Sequence, residues 1–101
     1  MKATVRHMVV FNLKYPKDSE EAKQFLADSR EILGSIPYAS EYMQCYEISP
    51  KNTYDYGFSF DFPSPEDYER YNQDPRHVQY VNERWNNEVT QFLEIDFSEI
   101  G

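Results

Sequence analysis

Two histidines, and a tyrosine six residues before the second, are the side chains of this sequence best suited to moving protons. His7 sits inside the apolar run Val5-Arg6-His7-Met8-Val9-Val10-Phe11, and His77 closes the segment Tyr71-Asn72-Gln73-Asp74-Pro75-Arg76-His77. An imidazole has an ordinary pKa of about 6.5 and exchanges protons near neutral pH. A phenol can donate a hydrogen bond to an oxygen on which charge is developing. Brought together by the fold, the three make an acid/base site: His77 takes a proton from a carbon acid beside a carbonyl, Tyr71 holds the enolate oxygen, and His7 orients the substrate or exchanges protons. Each also has a plainer use. His7 suits a core histidine bonded to a backbone carbonyl, His77 a packing or capping group near a helix start, and Tyr71 one core aromatic among nine tyrosines.

Other chemistries fit the composition less well. Cys45 is the only cysteine, which excludes an intramolecular disulfide and any multi-cysteine metal site, and reads as a small buried hydrophobe. Two histidines with a carboxylate can bind a divalent ion, but no pair of ligands stands at i, i+4, and no metal or other cofactor is expected. A formal charge of -8 with no cluster of Lys or Arg argues against nucleic acid and anionic membrane as partners. No apolar run reaches membrane-spanning length, and charge or imidazole interrupts the opening Met-Lys-Ala-Thr-Val-Arg-His before a signal-peptide core forms. The expectation is a cytoplasmic protein of one domain over 1–101.

The elements that must position the site can be read from periodicity. Val5, His7, Val9, Phe11 and Leu13 alternate with Arg6, Met8, Val10, Asn12 and Lys14, the two-residue period of a strand. Asp18 and Glu21 have capping-box spacing before a helical stripe of Ala22, Phe25, Leu26, Ser29, Ile32 and Leu33, with Gly34 at the stop. Tyr38 to Ile48 reads as a second strand, and Tyr54, Tyr56, Phe58, Phe60 and Phe62 as one face of a third. Ser64-Pro65 and Asp74-Pro75 each read as a cap followed by proline at the first helical position, the second helix reaching about Asn87. Val89, Gln91, Leu93, Ile95 and Phe97 alternate as a fourth strand, with Phe92 on its second side.

The order strand, helix, strand, strand, helix, strand predicts an α+β fold: a ferredoxin-like βαββαβ subunit with helices over one face of a four-stranded antiparallel sheet. The other face carries Met8 and Val10, and leaving such groups wet costs about 25 cal/mol per Å² of apolar surface. A homodimer formed through sheet faces is therefore expected, mixed or hydrated where Asp55, Ser59 and Asp61 fall. On the helix side, the walls of the site are expected from Val9, Phe25, Leu26, Ser29, Tyr56 and Phe58.

The opening Val5 to Lys14, Ile36-Pro37 after the first helix, Tyr54-Asp55-Tyr56 and the Tyr71 to His77 segment together resemble the stress-responsive A/B barrel (Dabb) family, from about Val5 to Phe97. The resemblance implies a subunit whose sheet pairs with a second copy as a dimeric α+β barrel. The best understood branch of that family resembles olivetolic acid cyclase, which closes a linear poly-β-keto thioester by aldol condensation without metal or organic cofactor. Its working tyrosine and histidine lie in a Tyr-x-x-x-Pro-x-His segment, with a further histidine on the first strand; Tyr71, Pro75, His77 and His7 match them here. This chain departs in having Asp74 where that enzyme has histidine, and in Tyr56 and Phe58, which would narrow the pocket.

Three functions are consistent with these residues. One is a cofactor-independent lyase or cyclase acting on a small carbonyl or polyketide-like compound. A second is a non-catalytic dimer that binds a small carbonyl or aromatic ligand or serves in stress. A third is a dimeric-barrel oxygenase, toward which Trp85 and Asn12 point.

Overall fold

The computed structural model describes residues 4–101, so residues 1–3, which open the stretch weighed as a signal peptide, lie outside the described residues. Strands β1 (Val5–Leu13), β2 (Glu41–Tyr46), β3 (Tyr56–Phe62) and β4 (Val89–Phe97) form one antiparallel sheet in the order β2-β3-β1-β4. Helix α1 (Glu20–Gly34) follows β1, and α2 (Pro65–Gln73) and α3 (Pro75–Tyr80) follow β3. This is the expected ferredoxin-like arrangement. Its core lies between the helices and one sheet face, where Val9, Phe11 and Leu13 of β1 meet Tyr56, Phe58, Phe60 and Phe62 of β3. From α1 come Ala22, Phe25, Ser29 and Leu33, spaced three and four apart as a helix stripe must be.

Local chemistry moved several boundaries. The first helix is capped by Ser19, whose Oγ accepts the Ala22 N–H at 3.2 Å, not by Asp18. Asp18 instead takes the left-handed region at φ 61°, where a short polar side chain is tolerated. Its N–H donates to the Tyr56 hydroxyl and its carboxylate accepts from Tyr46, both at 2.8 Å. β2 is shorter than Tyr38 to Ile48, and β3 starts at Tyr56 instead of Tyr54. The N–H of Tyr54 is taken by the Asn52 side chain at 2.9 Å and that of Asp55 by Asn12 at 2.7 Å, so side chains compete with the ladder there. Both Pro helices start as read: Ser64 accepts from the Asp67 N–H at 3.2 Å, and Asp74 from the Arg76 N–H at 2.9 Å.

After α3 the helix does not run on evenly to Asn87. It widens into a π turn over Val81–Trp85 and closes with a last turn, Asn86–Glu88. A π turn inserts one extra residue and re-aims the side chains beyond it. Here it sets Trp85 over the core, 4.9 Å from Phe11 and 5.7 Å from Phe92 between ring centroids. Arg84 is turned to Asp28 at 2.9 Å and Glu88 at 2.6 Å, tying this turn to α1 and to the start of β4.

The fourth strand alternates as expected but with its faces exchanged. Its register with β1 sets Phe92 opposite Phe11, Glu94 opposite Val9 and Asp96 opposite His7, so these three face the helices. Leu93, Ile95 and Phe97 pair with Val10, Met8 and Arg6 on the open face. Alternation alone fixes that two faces exist, and pairing decides which is inward. The open face is therefore more apolar than the sequence suggested, with Met43 of β2 adding to it.

Candidate functional site

A cavity of about 270 Å³ opens between β1, β3, β4 and the α2–α3 layer, and His7, Val9, Phe58, Tyr71 and His77 all line it. Residues 70 positions apart in sequence meet there because β1 is central in the sheet and Asp74-Pro75 turns the chain between α2 and α3 back over it. Tyr71 ends up buried, its ring 5.2 Å from Phe60, 5.1 Å from Phe62 and 4.6 Å from His77. Its hydroxyl has no hydrogen-bond partner among the described residues, and burial pushes the phenol well above its ordinary value, so it stays a donor.

Both imidazoles are held by Nδ1. His77, the third residue of α3, donates Nδ1–H to the Asn72 carbonyl at 3.2 Å, and a carbonyl can only accept. That bond leaves Nε2 with its lone pair. Burial lowers the pKa of His77 and outweighs the opposing effects of the Asn72 bond and Asp74; the nearby His7 lowers it further. The ring is therefore neutral and able to accept a proton, with desolvation the main cause.

His7 is not bonded to a backbone carbonyl. Its Nδ1 meets the Asp96 carboxylate at 2.6 Å, and the Tyr68 hydroxyl donates to the same carboxylate at 3.0 Å. A carboxylate behind an imidazole fixes the tautomer and the orientation of the ring. Neither Asp96 nor Tyr68 was picked out from the sequence. Alternation sets Asp96 on the same face as Phe92, but only the pairing of β4 with β1 brings it to His7, 89 residues away.

Four of the expected wall residues lie elsewhere. Phe25 is fully buried against Phe11, Tyr80 and Trp85 and fills core space. Ser29 is equally buried, its Oγ donating to the Phe25 carbonyl and sharing a 2.7 Å bond with the Tyr80 hydroxyl. Leu26 and Tyr56 line a separate depression of about 200 Å³ with Arg30 and Gln44, on the β2 side. The physical reason is that α1 reaches the cavity only with Leu33 near its C-terminal end, while Phe25 and Ser29 pack beneath Trp85 and Tyr80 and Leu26 lies against Gln44 of β2. Asn12 also lies away, bonding Thr53, Gln91 and Asp55, whereas Trp85 does line the cavity. A larger depression, about 730 Å³, sits at the sheet end beside Arg6, Asp61 and Phe97, and holds neither imidazole nor phenol. Among the described residues no three His, Cys, Asp or Glu are grouped to hold a metal ion, and no helix is long and apolar enough to cross a membrane.

The model of one family, the Stress responsive A/B Barrel Domain, matches residues 5–99. The chain belongs to the Dabb family. A solved Dabb family protein with a ferredoxin-like fold from Mesorhizobium loti is 44% identical, the match covering 99% of this chain and 100% of that one at a TM-score of 0.96. A dimeric ferredoxin-like protein of unknown function from Thermobifida fusca shares the fold at 14% identity, TM-score 0.79, covering 98% and 93%. So does a hydroxynitrile lyase from Passiflora edulis, at 16% identity, TM-score 0.79, covering 95% and 93%. No curated protein matches the sequence.

The half-buried imidazole of His77 gives this Dabb domain a testable pH signature. Above about pH 6.5 His77 is neutral whether folded or not; below it the unfolded chain binds the proton more readily than the fold, whose pKa is lowered. Stability should fall as pH drops through that window. Thermal melts of the wild type and His77→Gln from pH 7.5 to 5 are expected to show the steeper acid loss in the wild type. Parallel curves would mean that the ring is not desolvated.

Proposed function

We propose that this Dabb domain is a homodimer whose cavity performs cofactor-independent acid/base chemistry on a small carbonyl compound, as a lyase or cyclase. The observation that carries the reading is the convergence of three prepared groups on one cavity: two imidazoles with Nδ1 engaged and a phenol whose hydroxyl has no partner among the described residues. The Tyr71 hydroxyl is not sealed off as a buried unsatisfied group, so it is open to donate to a substrate oxygen in the cavity.

In the condensing direction, His77 Nε2 takes the proton from the carbon next to the carbonyl, and the Tyr71 hydroxyl donates to the enolate oxygen as charge develops. The enolate carbon attacks a second carbonyl, forming the C–C bond, and the proton on His77 passes to the new alkoxide. His7, backed by Asp96, accepts a hydrogen bond from a substrate hydroxyl or exchanges its proton. In the cleaving direction the same groups remove a hydroxyl proton and protonate the departing carbanion. The fold shared with a hydroxynitrile lyase supports such use of this scaffold.

The dimer is supported by the apolar open face and by the dimeric neighbour from Thermobifida fusca. Cys45, expected as a small buried hydrophobe, is instead exposed, and an exposed free thiol suits a reducing compartment, in keeping with a cytoplasmic location. The aromatic walls, Phe58, Phe60 and Trp85 among them, also favour a second reading, ligand binding without chemistry.

The test is turnover of a panel of 2-hydroxynitriles, β-hydroxy ketones and 1,3-dicarbonyl compounds, in air and under nitrogen. At least one should react, equally without oxygen, and His77→Ala should abolish the reaction. Compounds that raise Tm but are recovered unchanged would favour the binding reading, and oxygen-dependent turnover would favour an oxygenase.

A further inference from the structure

The helix-side face of β4 places two carboxylates beside the cavity, and only one is accounted for. Asp96 is held between His7 and Tyr68. Glu94, opposite Val9, lines the cavity at an exposed position and makes no hydrogen bond or ion pair among the described residues. Among the described residues neither Lys nor Arg lines this space. The remaining wall near Glu94 is aromatic: Phe92 shares its face of the strand, and Trp85 packs edge-on to Phe92 at 5.7 Å. Carboxylate and ring faces attract the same kind of ligand group, because an aromatic quadrupole presents negative charge at its face. The chain's formal charge of -8 acts in the same direction on an approaching ion.

We propose that the cavity selects ligands carrying an ammonium group, which pairs with Glu94 and meets the Trp85 and Phe92 rings while the rest of the ligand reaches toward Tyr71 and His77. Under the acid/base reading of the same cavity, on which this rests, the substrate class becomes an amino-carbonyl compound. Carboxylate-bearing and phosphate-bearing ligands are disfavoured, since the rim offers them no cation and one repelling charge.

The experiment uses three probes of like shape, benzylamine, benzyl alcohol and benzoate, titrated at pH 8 while the indole N–H of Trp85, the sole tryptophan, is followed by NMR. Each step from cation to neutral to anion should weaken binding about three- to tenfold, the range for a partly exposed pair aided by aromatic faces. Glu94→Gln should bring the amine within about twofold of the alcohol, as loss of a single exposed pair implies. Glu31→Gln, which removes the same charge from an exposed position on α1, should leave the order intact. The proposal is overturned if Glu94→Gln keeps the preference, if Glu31→Gln erases it equally, if benzoate binds best, or if no probe shifts the indole. Turnover of a neutral carbonyl that depends on His77 but shows no charge preference would sink this inference alone and leave the acid/base reading standing.

Discussion

Tyr71→Phe is expected to lower kcat by about a hundred- to a thousandfold, the loss seen when one oxyanion donor is removed, while leaving the protein as stable as before or slightly more so. The substitution deletes one atom from a residue that is only 2% exposed, and that oxygen bonds to no group among the described residues. The ring contacts with Phe60, Phe62 and His77 all survive in phenylalanine. That hydroxyl makes no hydrogen bond to the described residues and is not sealed off from the cavity, so its removal takes no bond from the folded state and leaves no buried group unsatisfied. A merely structural tyrosine would give the opposite signature, a lowered Tm with turnover intact. Kinetics and a thermal melt on the same preparation separate the two, and unchanged kcat would remove Tyr71 from the mechanism. His77→Ala is the less discriminating variant, because it empties part of the cavity wall and breaks the bond to Asn72 along with the base.

How far the residues alone disclose the fold depends on the range of the interactions involved. The order of elements, the Ser64-Pro65 and Asp74-Pro75 helix starts and the inward side of β1 and β3 depend on neighbours within one or two turns, and they emerged as read. The meeting of His7, Tyr71 and His77 needed only the assembly of those elements with β1 at the centre. The facing of β4 is of another kind. Val89, Gln91, Leu93, Ile95 and Phe97 form the more apolar side, and burial against the helices is the natural reading of it. Pairing with β1, irregular between Asn12 and Leu13, left Val89 opposite Leu13 against the core but turned Gln91, Leu93, Ile95 and Phe97 outward and brought Phe92, Glu94 and Asp96 inward. Two consequences were hidden with it: the Asp96 support behind His7, and the carboxylate at the cavity rim. The π turn at Val81–Trp85 has no periodic mark of its own, yet it decides that Trp85 helps to roof the cavity. Phe25, Ser29, Leu26 and Tyr56 share the inward face and so read as wall, but facing the core and facing its one gap are different conditions.

The exchange of faces on β4 also makes the dimer proposal sharper. Leu93 is 49% exposed and pairs across the ladder with Val10; beside them lie Ile95 with Met8, and Phe97 and Met43 are also about half exposed. These groups form a band across the open face, the natural centre of an isologous contact in which each side chain is met twice. Leu93→Asp is therefore expected to convert the dimer to monomers, because a two-fold interface would have to bury two carboxylates and every chain already carries a charge of -8. Losses at a buried centre reach several kcal/mol, so the dissociation constant should rise by about a thousandfold or more. Leu93→Ala, which removes apolar contact without adding charge, should weaken association far less. Sedimentation velocity over a range of concentrations measures both, and a wild-type chain that sediments as a monomer throughout would end the proposal. The cavity lies on the other face of the sheet, so a folded Leu93→Asp monomer should keep the Trp85 response to benzylamine. Losing that response together with the dimer would mean that a second copy holds β4, and with it Glu94 and Asp96, in place.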